Sequence, residues 1–130
     1  MKNTLILILS SLLASTMTLA AGKATVEVTA KAQSGKKLEL TFKTKPADGL
    51  VINHDGPWKL DIQNSGSIKP ERTEYKRADR KEDTESFVVT AEHSGAKSGD
   101  IKFKMITFVC TKDKSQCFRE VIDTNAKLSW

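Results

Sequence analysis

The sequence predicts an all-β domain, an immunoglobulin-like antiparallel β-sandwich, on three observations. Apolar residues recur with period two in stretch after stretch. Turn-forming residues separate those stretches at intervals of roughly 8–12 positions. No segment sustains the i, i+3, i+4, i+7 spacing that an amphipathic helix needs.

The strands follow in order. Ala24, Val26, Val28, Ala30 and Ala32 share one face, with Thr25, Glu27, Thr29 and Lys31 opposite. After a Ser34-Gly35 turn, Leu38, Leu40 and Phe42 alternate with Lys37, Glu39, Thr41 and Lys43. Pro46-Ala47-Asp48-Gly49 interrupts, and a short Leu50-Val51-Ile52 piece leads into a His54-Asp55-Gly56-Pro57 turn. Trp58, Leu60 and Ile62 form the next strand, which Asn64-Ser65-Gly66 ends. Phe87, Val89 and Ala91 make another, and Ile101, Phe103 and Met105 follow the Ser98-Gly99 turn. At Met105-Ile106 the apolar parity changes to Ile106, Phe108 and Cys110, as a β-bulge or a crossing between layers would produce. The last strand runs from Cys117 through Val121 and Ile122 towards Leu128 and Trp130. About seven or eight short strands in about 110 residues fill one sandwich.

Residues 1–21 read as a signal peptide. Lys2 supplies a positive start, Leu5 to Leu13 is apolar apart from Ser10 and Ser11, and small residues precede expected cleavage after Ala20 or Ala21. A membrane anchor needs about 20 apolar residues, more than this run offers. A single domain over 22–130 is then expected in the periplasm or outside the cell, with no membrane insertion of the mature chain. Apolar residues at 38% and charged residues at 28% exclude collagen-like, disordered and multi-span classes. The formal net charge of +5 falls by one with Lys2, and no block of like charge accompanies it, so nucleic acid is not an expected partner. No Gly-rich phosphate loop and no Ser/His/Asp arrangement can be picked out.

Lys69 to Glu85 breaks the alternation. It holds six basic and six acidic residues, so it forms no phosphate clamp. It reads as a solvated loop, or, because Tyr75 is a lone aromatic within it, as a segment that places a ring against something.

Cys110 and Cys117 are the only cysteines, separated by Thr111-Lys112-Asp113-Lys114-Ser115-Gln116 and flanked by strand-like residues. They are expected to face each other across a hairpin, within reach of a disulfide. An oxidising compartment favours that bond. It is read either as a structural staple, stabilising by about 2.5 kcal/mol for so short a loop, or as a reactive pair. Lys112, Lys114 and Arg119 favour the thiolate, and Asp113 and Glu120 offset them. A copper site drawing on His54, His93, Met105 and the cysteines is the third possibility, without any paired spacing to support it.

Three stretches carry a resemblance. Leu50 to Leu60, with its His54 turn before Pro57-Trp58-Lys59-Leu60, is similar to a strand-turn of the N-terminal periplasmic domain of the thiol:disulfide interchange protein DsbD, the disulfide bond corrector family. Thr73-Glu74-Tyr75-Lys76 looks like that family's cap loop. Gly99 to Lys104, running on to Cys110 and Cys117, is similar to its last hairpin. The resemblance implies an immunoglobulin-like fold present as a stand-alone copy, and electron transfer through a thiol:disulfide relay to periplasmic or membrane redox proteins. It also implies Cys110 and Cys117 as the redox pair, Tyr75 as the cap, a supporting role for His54 and Trp58, and no cofactor. The loop between the cysteines is one residue longer than in the family, and Phe118-Arg119 replaces an aromatic-Pro pair. The alternative is a non-enzymatic binding module with a structural disulfide.

Overall fold

The computed structural model describes residues 16–64 and 66–130. Their strands are β1 (Thr16–Ala21), β2 (Ala24–Ala32), β3 (Lys37–Pro46), β4 (Leu50–Ile52) and β5 (Lys59–Asn64). β6 (Ile68–Pro70), β7 (Glu74–Lys76), a single 3₁₀ turn (Arg77–Asp79), β8 (Ser86–His93), β9 (Ser98–Thr111) and β10 (Cys117–Ser129) complete them. The expected signal peptide falls largely on residues 1–15, outside the described residues, while its last six positions are β1. No helix among the described residues is long and apolar enough to cross a membrane.

Two antiparallel sheets pack face to face, one ordered β1-β2-β3-β8-β6 and the other β10-β9-β5-β7, with β4 also on β9. The run β2-β3-β8-β6 reproduces the A-B-E-D order of an immunoglobulin sandwich, and β10-β9-β5 the G-F-C order, so the expected fold class is the one formed. Alternation does the building. Val26 and Val28 of β2, Leu38, Leu40 and Phe42 of β3, Phe87 and Val89 of β8, and Ile101, Phe103 and Met105 of β9 all turn inward and are fully buried. Phe42 and Phe103 meet edge to face, their centroids 5.0 Å apart. That contact ties β3 to β9, the strands that immunoglobulin domains commonly join by a disulfide.

The expected parity change at Met105-Ile106 does not occur. The β9–β10 register runs without a slip from Ser98↔Ser129 to Cys110↔Cys117. Met105, Thr107 and Val109 all stay on the core side, and Ile106 and Phe108 are half-buried on the outer face. Apolar residues occupy both faces there because the chain between β4 and β5 folds back over β9. Gly56 lies against Phe108 so closely that a Cβ at position 56 would overlap the ring, so the turn needs glycine. The register slip in this sheet lies instead in β5, between Ile62 and Asn64.

The charged segment is neither a free loop nor a cap. β6 pairs with β8 and β7 with β5, and Lys81 bridges back to Ser86. Its charges are largely matched locally. Arg72 pairs with Asp79 at 2.9 Å, and Arg77 pairs with Asp55 at 3.3 Å. Asp79 also accepts the Lys76 backbone N–H at 2.9 Å. Those two bonds, the backbone one first, hold the Asp79 carboxyl below its ordinary range.

Candidate functional site

Cys110 and Cys117 form the disulfide that their spacing predicts. They stand opposite each other where β9 and β10 part, with Cα atoms 4.0 Å apart. The hydrogen bonding explains the close approach. Thr111 N–H donates to Gln116 O at 2.8 Å, so the neighbouring Cys110–Cys117 position is a non-hydrogen-bonded one, where facing side chains are nearest. The two cysteines differ in exposure: Cys110 is 2% exposed, whereas Cys117 lies open to solvent. Val51 of β4 pairs with Cys110 on the side away from β10, and Phe108 follows two residues along the same face.

The loop closing this hairpin is built around one carboxylate. Asp113 Oδ1 accepts Thr111 Oγ1–H at 2.6 Å, Ser115 N–H at 3.0 Å and Ser115 Oγ–H at 2.8 Å. Three donors stabilise the charged form, the Thr111 hydroxyl most, and bring the Asp113 pKa down to about 2. Lys114 carries the reversal at φ 59°, with its N–H bonded to Thr111 O at 2.8 Å. Arg119 shares the outer face of β10 with Cys117 by alternation, and stands opposite Phe108. Glu120 lies on the other face, so it does not offset that charge beside the sulfur as its sequence position suggested.

Tyr75 is not at the disulfide. It is 4% exposed, part of the hydrophobic core, and pairs with Leu60, which pairs in turn with Met105. Met105 is five residues from Cys110 along β9, about 17 Å at the usual rise. Burial pushes the phenol pKa up, against hydrogen bonding from the Arg72 N–H at 3.3 Å. A lone aromatic in a polar segment was placed against something, and that something is the core.

The His54 turn, expected to support the fold, is a more elaborate structure than its sequence indicated. Trp58 is buried, and its indole N–H donates to Asn53 O at 2.7 Å. Asn53 N–H donates to Phe108 O at 2.9 Å, fastening the turn to β9. Arg80, 6% exposed, lies over the Trp58 ring with its guanidinium carbon 3.8 Å from the centroid. Its Nη1 is 2.8 Å from His54 Nδ1. Arginine only donates, so Nδ1 is the acceptor and the imidazole carries its proton on Nε2. Sequence reading missed Arg80 because nothing local marks it: it is one of six basic residues in a stretch that looks solvated. Burial pulls its pKa down, and Glu85 and Glu82 pull the other way.

The four groups of the copper alternative are not assembled. Met105 is fully buried in the core, His54 faces Arg80, and His93 lies against Trp130, the rings tilted by 40° with centroids 5.4 Å apart, at the opposite end of β9 from the cysteines. Among the described residues no three His, Cys, Asp or Glu side chains are grouped to hold a metal ion.

Among the described residues, the group best suited to chemistry is the disulfide at the end of the β9–β10 hairpin, exposed on its Cys117 side. No family model, no curated protein and no solved structure matches this chain.

Proposed function

We propose that the protein is an exported thiol:disulfide exchange protein that passes electrons through Cys110 and Cys117 to other proteins of the envelope. One observation carries this reading: the disulfide lies outside the structure that holds the fold together. The sheets are joined through the Phe42–Phe103 contact and the surrounding core. The bond closes a loop already held by the Thr111–Gln116 backbone bond and the Asp113 carboxylate. A bond placed there can open and close without unfolding the sandwich. The charge of the exposed Lys112, Lys114 and Arg119 beside it favours thiolate over thiol.

The difference in exposure supports Cys117 as the sulfur that exchanges with a partner. A thiolate of a partner dithiol attacks Cys117 Sγ, forming a mixed disulfide while the Cys110–Cys117 bond breaks and its electron pair passes to Cys110 as thiolate. The partner's second thiolate then attacks the partner's own sulfur in the mixed disulfide and releases Cys117. The partner leaves oxidised and this pair reduced by two electrons. The reverse sequence, with Cys117 attacking, passes those electrons on.

Equilibration against glutathione buffers tests the reading. An exchanging pair has a potential above about −300 mV, and Cys110→Ala should then accumulate a mixed disulfide through Cys117. A potential below about −300 mV would overturn exchange and leave the alternative, a binding module with a structural staple.

A further inference from the structure

β1 covers an edge that both sheets share. It pairs with β2 from Thr16↔Thr29 to Ala21↔Ala24, across a two-residue turn with Gly22 at φ +29°. It also lies along β10, where Lys127 N–H donates to Met17 Sδ at 3.3 Å. It ends where the leader is expected to be cut. Among the residues whose side chains are described, the buried core cluster runs from Val26 to Leu128, and Met17 of β1 is partly buried against it. The chain from 22 to 130 keeps every residue of that cluster, and it loses the Met17 contact with β10 and the cover on β2.

Which groups are uncovered follows from the turn. The pair flanking a two-residue hairpin turn is hydrogen-bonded. Ala24, Val26 and Val28 therefore direct their N–H and C=O groups at β1, and Ala30 and Ala32 face the same way beyond its end. Without β1 that row is an open strand edge, a template for another strand.

We infer that the processed chain pairs with a second copy of itself through this edge, the two β2 strands running antiparallel about Thr29. The inference rests on the leader reading above. Side-chain charge selects the register. An axis at Glu27 sets that carboxylate against itself, and an axis at Lys31 does the same for the ammonium. An axis at Thr29 sets Glu27 opposite Lys31 of the second copy twice over, with Thr29 against Thr29, both favourable cross-strand pairs. The inner face accepts this register as well. Ala30 and Ala32 of the second copy take the places that Met17 and Leu19 hold opposite Val28 and Val26. Ala30 is smaller than the Met17 side chain whose place it would take.

Sedimentation velocity on the full chain and on the 22–130 chain tests this, up to roughly 100 µM. The shorter chain should dimerise and the full chain, its edge occupied, should stay monomeric. Lys31→Glu leaves the Glu27–Lys45 ion pair in place, and it should weaken the dimer about tenfold by creating two like-charge pairs. Glu27→Lys should do the same, and the double exchange should restore association. A monomeric 22–130 chain, equal association of both chains, or no recovery in the double variant would each overturn the proposal. N-terminal sequencing of the exported protein checks the leader separately, and a retained Thr16–Ala21 segment would sink that reading whatever the shorter chain does.

Discussion

Reducing the Cys110–Cys117 bond should leave the sandwich folded and cost it a calculable amount. The closed loop runs from Cys110 through Cys117, a sequence separation of 7. Constraining a loop of that size in the unfolded chain is worth about 2.5 kcal/mol in the chain-entropy model. Little native structure is lost beside it, because the β9–β10 ladder continues for the rest of the 13 residues of β10. The Asp113 bonds within the loop do not involve sulfur. With a slope of about 1.2 kcal/mol per M, the urea midpoint should fall by about 2 M on reduction. Strand circular dichroism in buffer should be unchanged. Equilibrium unfolding of the oxidised protein, the phosphine-reduced protein and the Cys110→Ala/Cys117→Ala variant measures this directly. Loss of more than about 5 kcal/mol, a large part of a typical domain's stability, would refute the argument that the core stands without the bond.

Three further outcomes follow from the same geometry. Tyr75→Ala should destabilise the fold by about 3 kcal/mol while leaving the disulfide's reaction with glutathione unchanged in native buffer, because the ring fills core and lies far from the sulfurs. Gly56→Ala should cost roughly 1–3 kcal/mol in chemical unfolding, since the added methyl meets the Phe108 ring. Asp113 has its pKa lowered, so its contribution to the hairpin is complete above the ordinary carboxylate value near 4 and is lost as pH falls through about 2. Carbonyl NMR of Asp113 should give a midpoint of about 2, and Asp113→Asn should remove any hairpin change between roughly pH 4 and pH 2.

The fold was legible because a strand's inner face is written in its own alternation. β2, β3 and β8 could be read from single stretches, and so could the facing cysteines. Three features could not. Ile106 and Phe108 looked like an inward stripe after a bulge, since sequence does not tell that a turn 50 residues upstream would cover the outer face. Tyr75 read as a ring placed against something, but what it meets could not be read, because a three-residue strand such as β7 shows its partner nowhere in its own sequence. Arg80 depends on Trp58 and His54, more than 20 residues away and brought near only by the β5–β7 pairing. The common cause is that the pairing partner, and not the local pattern, decides which side of an irregular segment is buried.

The two outer faces of the sandwich differ in a way that bears on the disulfide. The face formed by β2 and β3 is polar throughout, with Thr25, Glu27, Thr29 and Lys31 beside Lys37, Glu39, Thr41 and Lys43. The opposite face carries Ile106, Phe108, Val121 and Val51 on the strands around the cysteine pair, with Arg119 opposite Phe108, and is charged beyond them at Lys102, Asp123 and Lys127. A bond that only closes a hairpin gains nothing from such surroundings, since its contribution comes from the unfolded chain. Exchange with a protein does gain. The incoming sulfur must come into contact with Cys117 Sγ, and water must leave the space between the two chains as it does. Half-buried apolar side chains give up that water at no electrostatic cost, whereas a ring of lysines and carboxylates would have to be desolvated. On this face the half-buried Val51 and Phe108 lie nearest the pair along β4 and β9, and the exposed Lys112 and Lys114 border it on the loop side and Arg119 on β10. An exchange partner of the kind proposed above would therefore lose least by bringing an apolar centre and an acidic rim.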